Sequence, residues 1–228
     1  MRAKAYYSFA NELAKEIHKI DPNHPVALGN CELTNLITAA SVAKDIDIIA
    51  CMIYRGKTFG NLFKSLKADF NKPLIVAEFG ADAYDAYLNK EDQNMQAYFL
   101  EWQWRQIYEN LASNKEGIGN CLGGIMFEWT DEWWKYNESI QMDNNTEGWK
   151  LHNTESNWSN GSYYHDIQAK GNKNMNEEWF GIVALSEELE NGLNKRIPRK
   201  SYYVVRELWS HPAKEIEKKK VKVEKKQE

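Results

Sequence analysis

The sequence lacks an excess of positive charge, a set of paired cysteines and any long apolar run. Its formal net charge is −4, so no global basic field gathers nucleic acid. The three cysteines, Cys31, Cys51 and Cys121, are far apart and odd in number. They form no CxxC or Cys/His metal spacing and indicate no disulfide framework; each reads as a small buried residue. No stretch is apolar for long enough to cross a bilayer, and no signal peptide is visible. Neither observation assigns a compartment, because the visible N-terminus need not be the natural one.

Aromatic side chains are abundant instead. The 228 residues are 43% hydrophobic and 13% aromatic, with 9 Trp and 12 Tyr. That is enough for one domain with a real core, and it excludes disorder over most of the chain. Flat apolar rings with polar edges suit a disc-like polar ligand such as a sugar. The competing reading, that they fill the core, holds for most of them.

The elements alternate along the chain. Phe9, Leu13, Ile17 and Ile20 recur at helical spacing within 5–20, which predicts an amphipathic helix with that stripe inward. Asp21-Pro22-Asn23-His24-Pro25 stops it. A short strand over 26–30, a helix or loop helix over 33–44 and a strand over 47–54 follow. Residues 61–70 read as a helix with Leu62, Phe63 and Leu66 inward. A long helix, aromatic on one side, is predicted over 92–113. A buried strand spans 121–129, its glycines indicating close backbone approach. Residues 130–178 are polar and rich in Asn and Trp, and read as an ordered loop. A last helix over 198–209 has Pro198 in its first turn. The Lys/Glu run of 211–228 is a solvated tail whose mixed signs argue against nucleic-acid binding. Such alternation implies parallel strands joined by crossover helices. Four strands are too few to close an eight-stranded barrel.

Within this pattern Lys72-Pro73-Leu74-Ile75-Val76-Ala77-Glu78-Phe79-Gly80-Ala81-Asp82 stands out. A run that fits a strand buried on both faces ends in a single carboxylate and a glycine-containing turn. In a parallel α/β barrel that end is where chemistry sits, which makes Glu78 the candidate nucleophile. A strand-end glutamate paired with a cation is the alternative.

Four segments occur in order: Asp21-Pro22-Asn23-His24-Pro25-Val26, the run from Asp47 to Gly56, the Glu78 segment, and Gly123-Gly124-Ile125-Met126-Phe127-Glu128-Trp129-Thr130-Asp131-Glu132-Trp133-Trp134-Lys135. With Asn176-Glu177-Glu178-Trp179-Phe180-Gly181 and Arg199-Lys200-Ser201-Tyr202-Tyr203, they resemble the C-terminal half of a clan A glycoside hydrolase barrel, nearest to the family 2 group. The resemblance covers most of residues 5–210. It implies an α/β fold that is part of a (β/α)8 TIM barrel, from about the fifth to the eighth strand. Glu78 then aligns with the nucleophile, Tyr54 with the tyrosine that hydrogen-bonds it, and Trp129 with a ring supporting the sugar beside the cleaved bond. The family's acid/base, a glutamate after an asparagine, would lie ahead of Met1, so a fragment of 1–210 plus the charged tail is expected. Gly29-Asn30-Cys31-Glu32 echoes that motif faintly but belongs to the strand after it. Asn30 is retained as a substrate-binding candidate.

A retaining glycosidase uses two carboxyls about 5 Å apart, one attacking the anomeric carbon and one handling protons. A tyrosine hydroxyl donating to the first keeps it ionised. No metal or organic cofactor is needed for this chemistry. From 127 to 135 acids and indoles interleave, a pattern suited to stacking on sugar rings and accepting from their hydroxyls. Asp131, Glu132 and Trp133 join Trp129 and Asn30 as substrate-binding candidates, with a solvated loop as the competing reading for the two acids. Glu128 faces the other side of the strand, as a paired carboxylate or a second site acid. Trp149, Trp158 and Trp179 read as loop or core packing. The expected partners are a carbohydrate substrate and either a complementary N-terminal half barrel or a second copy. Neither nucleic acid nor membrane is expected.

Overall fold

The computed structural model describes residues 1–85, 88, 90–132 and 176–210. Trp133, Trp149, Trp158 and the Lys/Glu tail lie outside the described residues. The chain divides into two compact units, one of Met1–Ile53, Phe59–Phe79 and Gln106–Met126, the other of Tyr54–Thr58, Gly80–Arg105 and Phe127–Glu228.

The first unit is built on one parallel sheet. Its strands β1 (Ala27–Cys31), β2 (Ile48–Met52), β3 (Leu74–Phe79) and β6 (Cys121–Met126) lie in the order β1-β2-β3-β6. Helix α1 (Arg2–Ile20) precedes β1, and helices α2 (Leu36–Val42) and α3 (Leu62–Asp69) supply the crossovers from β1 to β2 and from β2 to β3. In β2 and β3 one face is fully buried, while Ala50, Met52, Ile75 and Ala77 on the other are half-buried. Ile49, Cys51, Leu74 and Val76 are buried, and so are Leu62 and Leu66 of α3, as the helical spacing predicted. Phe59 meets both Phe63 and Phe79 edge-on, a favoured aromatic geometry. Asn120 donates from its side chain to the Phe63 carbonyl and accepts at its own carbonyl from the Leu74 N–H, tying α3 to the start of β3.

One expectation fails in α1. Phe9 is 63% exposed and Ile20 85% exposed, with Leu13 and Ile17 also open. The buried face carries Tyr7, Ala10, Asn11 and Ala14. Small residues let the helix backbone come close, and Asn11 adds a reciprocal clamp on Asp45: its amide donates to the Asp45 carboxylate, and the Asp45 N–H donates to its Oδ1. A hydrophobicity pattern cannot rank a small-residue face above a large-residue one, because contact depends on how near the backbones approach.

Asp47 closes the loop between α2 and β2. Its Oδ2 accepts from the Val26 N–H at 2.8 Å and contacts His18 Nε2 at 2.9 Å. Lys72 reaches the Lys44 and Ile46 carbonyls from the start of β3.

The second unit holds two antiparallel hairpins and α5 (Lys200–Ser210). β4 (Tyr84–Asp85) pairs with β5 (Lys90–Glu91), and β7 (Val183–Glu190) with β8 (Leu193–Pro198). The β7–β8 turn is Asn191-Gly192, both left-handed, with φ of 54° and 79°, as a two-residue hairpin turn requires. The final helix starts two residues later than expected, because Pro198 still pairs with Val183. α4 (Gln93–Glu109), whose residues fall in both units, is capped by Asp92, whose Oδ1 accepts from the Asn94 and Met95 N–H groups.

Asp47 generates a pH prediction. The Val26 N–H, aided by His18 and Lys72, holds its carboxyl below the ordinary carboxylate value, against partial burial. Its contribution to stability is therefore present above the unfolded value and is lost as pH falls through the lower folded one. Asp47→Asn should flatten the acid limb of a urea-unfolding series across pH 2–5. The change should stay under about 1 kcal/mol, because the carboxylate is partly solvated and screened.

Candidate active site

The sheet of the first unit ends in polar groups on its C-terminal edge. β1 delivers Asn30 and Glu32, and β3 delivers Glu78. The register around Glu78 is irregular on both sides. Cys51 pairs with Val76 but Met52 with Glu78; Val76 pairs with Gly124 but Phe79 with Met126. β3 therefore carries one extra residue over this stretch relative to each neighbour. Leu74 and Val76 are buried, and strict alternation would send Glu78 after them into the same apolar layer. The bulge instead leaves Ala77 and Glu78 half-buried and returns Phe79 to the core. The Glu78 carbonyl accepts from the Ile53 N–H at 2.9 Å, which fixes the backbone beneath the carboxylate.

Asn30 is buried and engaged. Its Oδ1 accepts from the Tyr7 hydroxyl at 2.6 Å, and its Nδ2 donates to the Glu32 carbonyl at 2.7 Å. Burial raises the Tyr7 phenol above its ordinary value, so it donates as a neutral hydroxyl. Glu32 has φ of 54°, an uncommon conformation for a non-glycine residue, and its N–H donates to the Met52 carbonyl. This Tyr7–Asn30–Glu32 chain shapes the end of β1, and nothing in the spacing of the residues announced it.

The remaining candidates belong to the second unit. Tyr54 packs its ring on Phe127 and Phe180. Trp129 is 57% exposed, with Tyr202 edge-on at 6.0 Å. Glu128 and Glu132 are half-buried. Asp131 is fully buried rather than solvated. Its two oxygens meet the two Nη atoms of Arg199 side by side, with Nη2 to Oδ2 at 2.8 Å. The Gly181 N–H also donates to Asp131, and Arg199 returns a bond to the Gly181 carbonyl. A side chain at 181 would strike the Asp131 backbone at 2.3 Å, so only glycine fits. Burial pushes the Asp131 carboxyl up to about 6 while Arg199 pulls it down; it is ionised at neutral pH.

Trp179 is buried, stacked on Tyr84 at 4.8 Å with the Arg199 guanidinium over its ring. Gln96 and Gln103, seven apart on one face of α4, are both buried. Gln96 donates to the carbonyls of Ala81 and Gly181 and accepts from the Ser201 hydroxyl. Gln103 donates to the carbonyls of Gly56 and Gly80. Asp82, also buried, accepts from the backbone and side chain of Asn176. These polar anchors hold the loops after the strands. Gln96 and Gln103 sit at heptad spacing, a signal masked by the aromatic residues around them.

Among the described residues no group of three or more His, Cys, Asp or Glu side chains is placed to hold a metal ion, and no helix is long and apolar enough to cross a membrane.

No family model and no curated protein sequence matches the chain. Several solved structures do. PfGH50B aligns with 92% of this chain and 24% of its own, at a TM-score of 0.50 and 14% identity. The GH2 β-galacturonidase from Eisenbergiella tayi, solved with galacturonate, aligns with 89% of this chain and 30% of its own, at 0.48 and 16%. BpGH86A, a β-porphyranase of glycoside hydrolase family 86 from the human gut bacterium Bacteroides plebeius, aligns with 90% and 35%, at 0.48 and 13%. The chain thus spans about a quarter to a third of the length of these structures. Its structural neighbours are glycoside hydrolases, and at such identity the likeness is one of fold.

The Asp131–Arg199 pair yields a stability prediction. Asp131→Asn leaves a buried guanidinium with Glu91 as its one charged partner among the described residues. Unfolding by urea should show a loss of about 3–5 kcal/mol, the usual consequence of breaking a buried pair from one side.

Proposed function

We propose that this chain carries the nucleophile-bearing part of a retaining glycoside hydrolase acting on a β-linked glycan. The observation that carries the reading is the bulge that turns Glu78 out of the apolar layer at the C-terminal end of a central parallel strand, where α/β folds place their chemistry. The fold likeness to a glycoside hydrolase structure supports it. In this reading the four strands are the fifth to eighth of a (β/α)8 barrel.

Glu78 attacks the anomeric carbon; a C–O ester bond forms as the bond to the leaving oxygen breaks. The leaving oxygen takes its proton from an acid supplied outside these four strands. Water then attacks the ester, passing a proton to that same group. Tyr54, by resemblance, donates to Glu78, and Trp129 offers its exposed ring to a sugar face. Glu132 and Trp133 complete the binding set. Asp131 and Asn30 act by positioning, since both are committed to internal partners. The exposed Trp129 also favours a second reading, a sugar-binding module without catalysis.

An activated leaving group separates the two. Natural glycosides need the proton donor, whose absence costs about 10²–10⁴-fold, so the purified chain should turn them over barely or not at all. A 2-deoxy-2-fluoro glycoside with a dinitrophenolate leaving group needs no protonation. It should label Glu78, as read by peptide mapping, and Glu78→Gln should abolish labelling without lowering the melting temperature. A label on Glu32 or Glu128 sinks the nucleophile assignment; binding without any label supports the module.

The partner proposal follows from the edges of the same sheet. Among the described residues β1 and β6 each have one neighbour in it, and α1 carries its open apolar stripe. Either four complementary strands or a second copy covers them. Purified alone, the chain should self-associate through these edges. Sedimentation as a monomer at tens of micromolar would contradict this.

A further inference from the structure

A groove of about 330 Å³ lies within the second unit, beside the β7–β8 hairpin and lined by Glu91, Gln93, Trp179, Ser186, Ile197 and Arg199 among others. Its volume is at the lower end of the range for small-molecule sites, roughly 300–1,000 Å³. We propose that it is a separate binding site for one neutral, hydroxyl-rich ring, a hexose unit. The inference goes beyond the function proposed above, since it involves neither Glu78 nor the ends of the parallel strands.

The polar inventory carries the argument. Arg199 is 1% exposed and Ser186 5% exposed, so both are polar groups built into the wall. Arg199 gives its Nε–H to Glu91, its two Nη1 hydrogens to Asp131 and Gly181, and one Nη2 hydrogen to Asp131. Among the described residues its fifth N–H has no acceptor. Ser186 accepts the Glu188 N–H on its hydroxyl oxygen, and among the described residues its own hydrogen is not given to any group. Gln93 accepts the Lys200 N–H on its carbonyl oxygen, and among the described residues its amide hydrogens are not given to any group. Glu91 takes Arg199 on Oε1, leaving Oε2 as an acceptor. Residues that carry three unspent donors and a second carboxylate oxygen therefore line one small space, together with the apolar Leu185, Ile197 and Trp179.

Charge decides what such a wall accepts. Glu91 and Arg199 are the charged groups of the lining, and Asp131, outside it, neutralises the guanidinium a second time, so two carboxylates stand against one guanidinium around the groove and oppose an anion. An ammonium has only donors and would face the N–H and O–H groups of Arg199, Ser186 and Gln93. A hydroxyl both donates and accepts, so a ring bearing several of them can pair with all four groups. The site is also rigid: Trp179 is held between Tyr84 and Arg199, and the bidentate pair fixes the guanidinium plane.

The test titrates the full chain with methyl β-D-glucopyranoside, D-glucuronate and 1,5-diaminopentane by amide NMR and calorimetry. The neutral glycoside should shift the amides of Leu185, Ser186 and Ile197, with the same Kd in Glu78→Gln as in the wild type. Ile197→Trp fills the groove from a side chain that is 45% exposed, so the fold tolerates it; it should weaken binding at least about tenfold. Gln93→Ala, which removes only an amide, should weaken it severalfold. The proposal is overturned by no shift at these amides, by unchanged affinity in Ile197→Trp, or by tighter binding of the acid or the amine. Loss of binding in Glu78→Gln would place the sugar at the proposed nucleophile instead and also overturn it, while leaving the hydrolase reading standing.

Discussion

A strand paired on both sides, with one face in the core, has little freedom in where it sends its side chains. Period-two alternation commits each position to one layer. β3 is such a strand, and its last residues include a carboxylate that the apolar layer cannot accept without a partner. The extra residue between Val76 and Phe79 resolves this conflict. It breaks the alternation once, leaves Glu78 half-buried and returns Phe79 to the core, where it meets Phe59. The core of the first unit and the position of the proposed nucleophile thus depend on the same irregularity.

The second unit solves a related problem by a different route. Between its hairpins and helices run loops whose backbone groups no ladder pairs. Buried side-chain amides and ions take over that work. Gln96 and Gln103 serve loop carbonyls from α4, Asp82 holds Asn176, and Arg199 joins Asp131, Glu91 and Gly181. Buried polar groups of this kind stabilise a single arrangement because each unmade bond is expensive. The same network leaves a few donors and one acceptor facing the groove beside the hairpin, so a structural requirement also creates a recognition surface.

Much of the secondary structure was legible because its signals are local. Leu62, Phe63 and Leu66 recur at helical spacing and are buried. Leu74 to Ala77 form an apolar run, and they lie in a central strand. The Asn191-Gly192 turn was equally local but passed unread, since the segment before it is polar and weakly periodic. α1 misled for a different reason: its larger apolar residues are the open ones, and its contact face is Ala10, Asn11 and Ala14. Asp131 looked like a rim residue because its cation, Arg199, is 68 positions away.

Sequence alone determined the main helices, the four strands of the parallel sheet and the carboxylate at the end of the Glu78 strand, because these follow from spacing, turn residues and apolar runs within a few positions, while the two antiparallel hairpins were not read. Tertiary structure alone decided which face of α1 is buried, that β3 bulges before Glu78, that Asp131 meets Arg199, and that a groove opens beside the hairpin. Each of those depends on contacts between residues far apart in the chain, and the free energy of such contacts is not written in any local pattern.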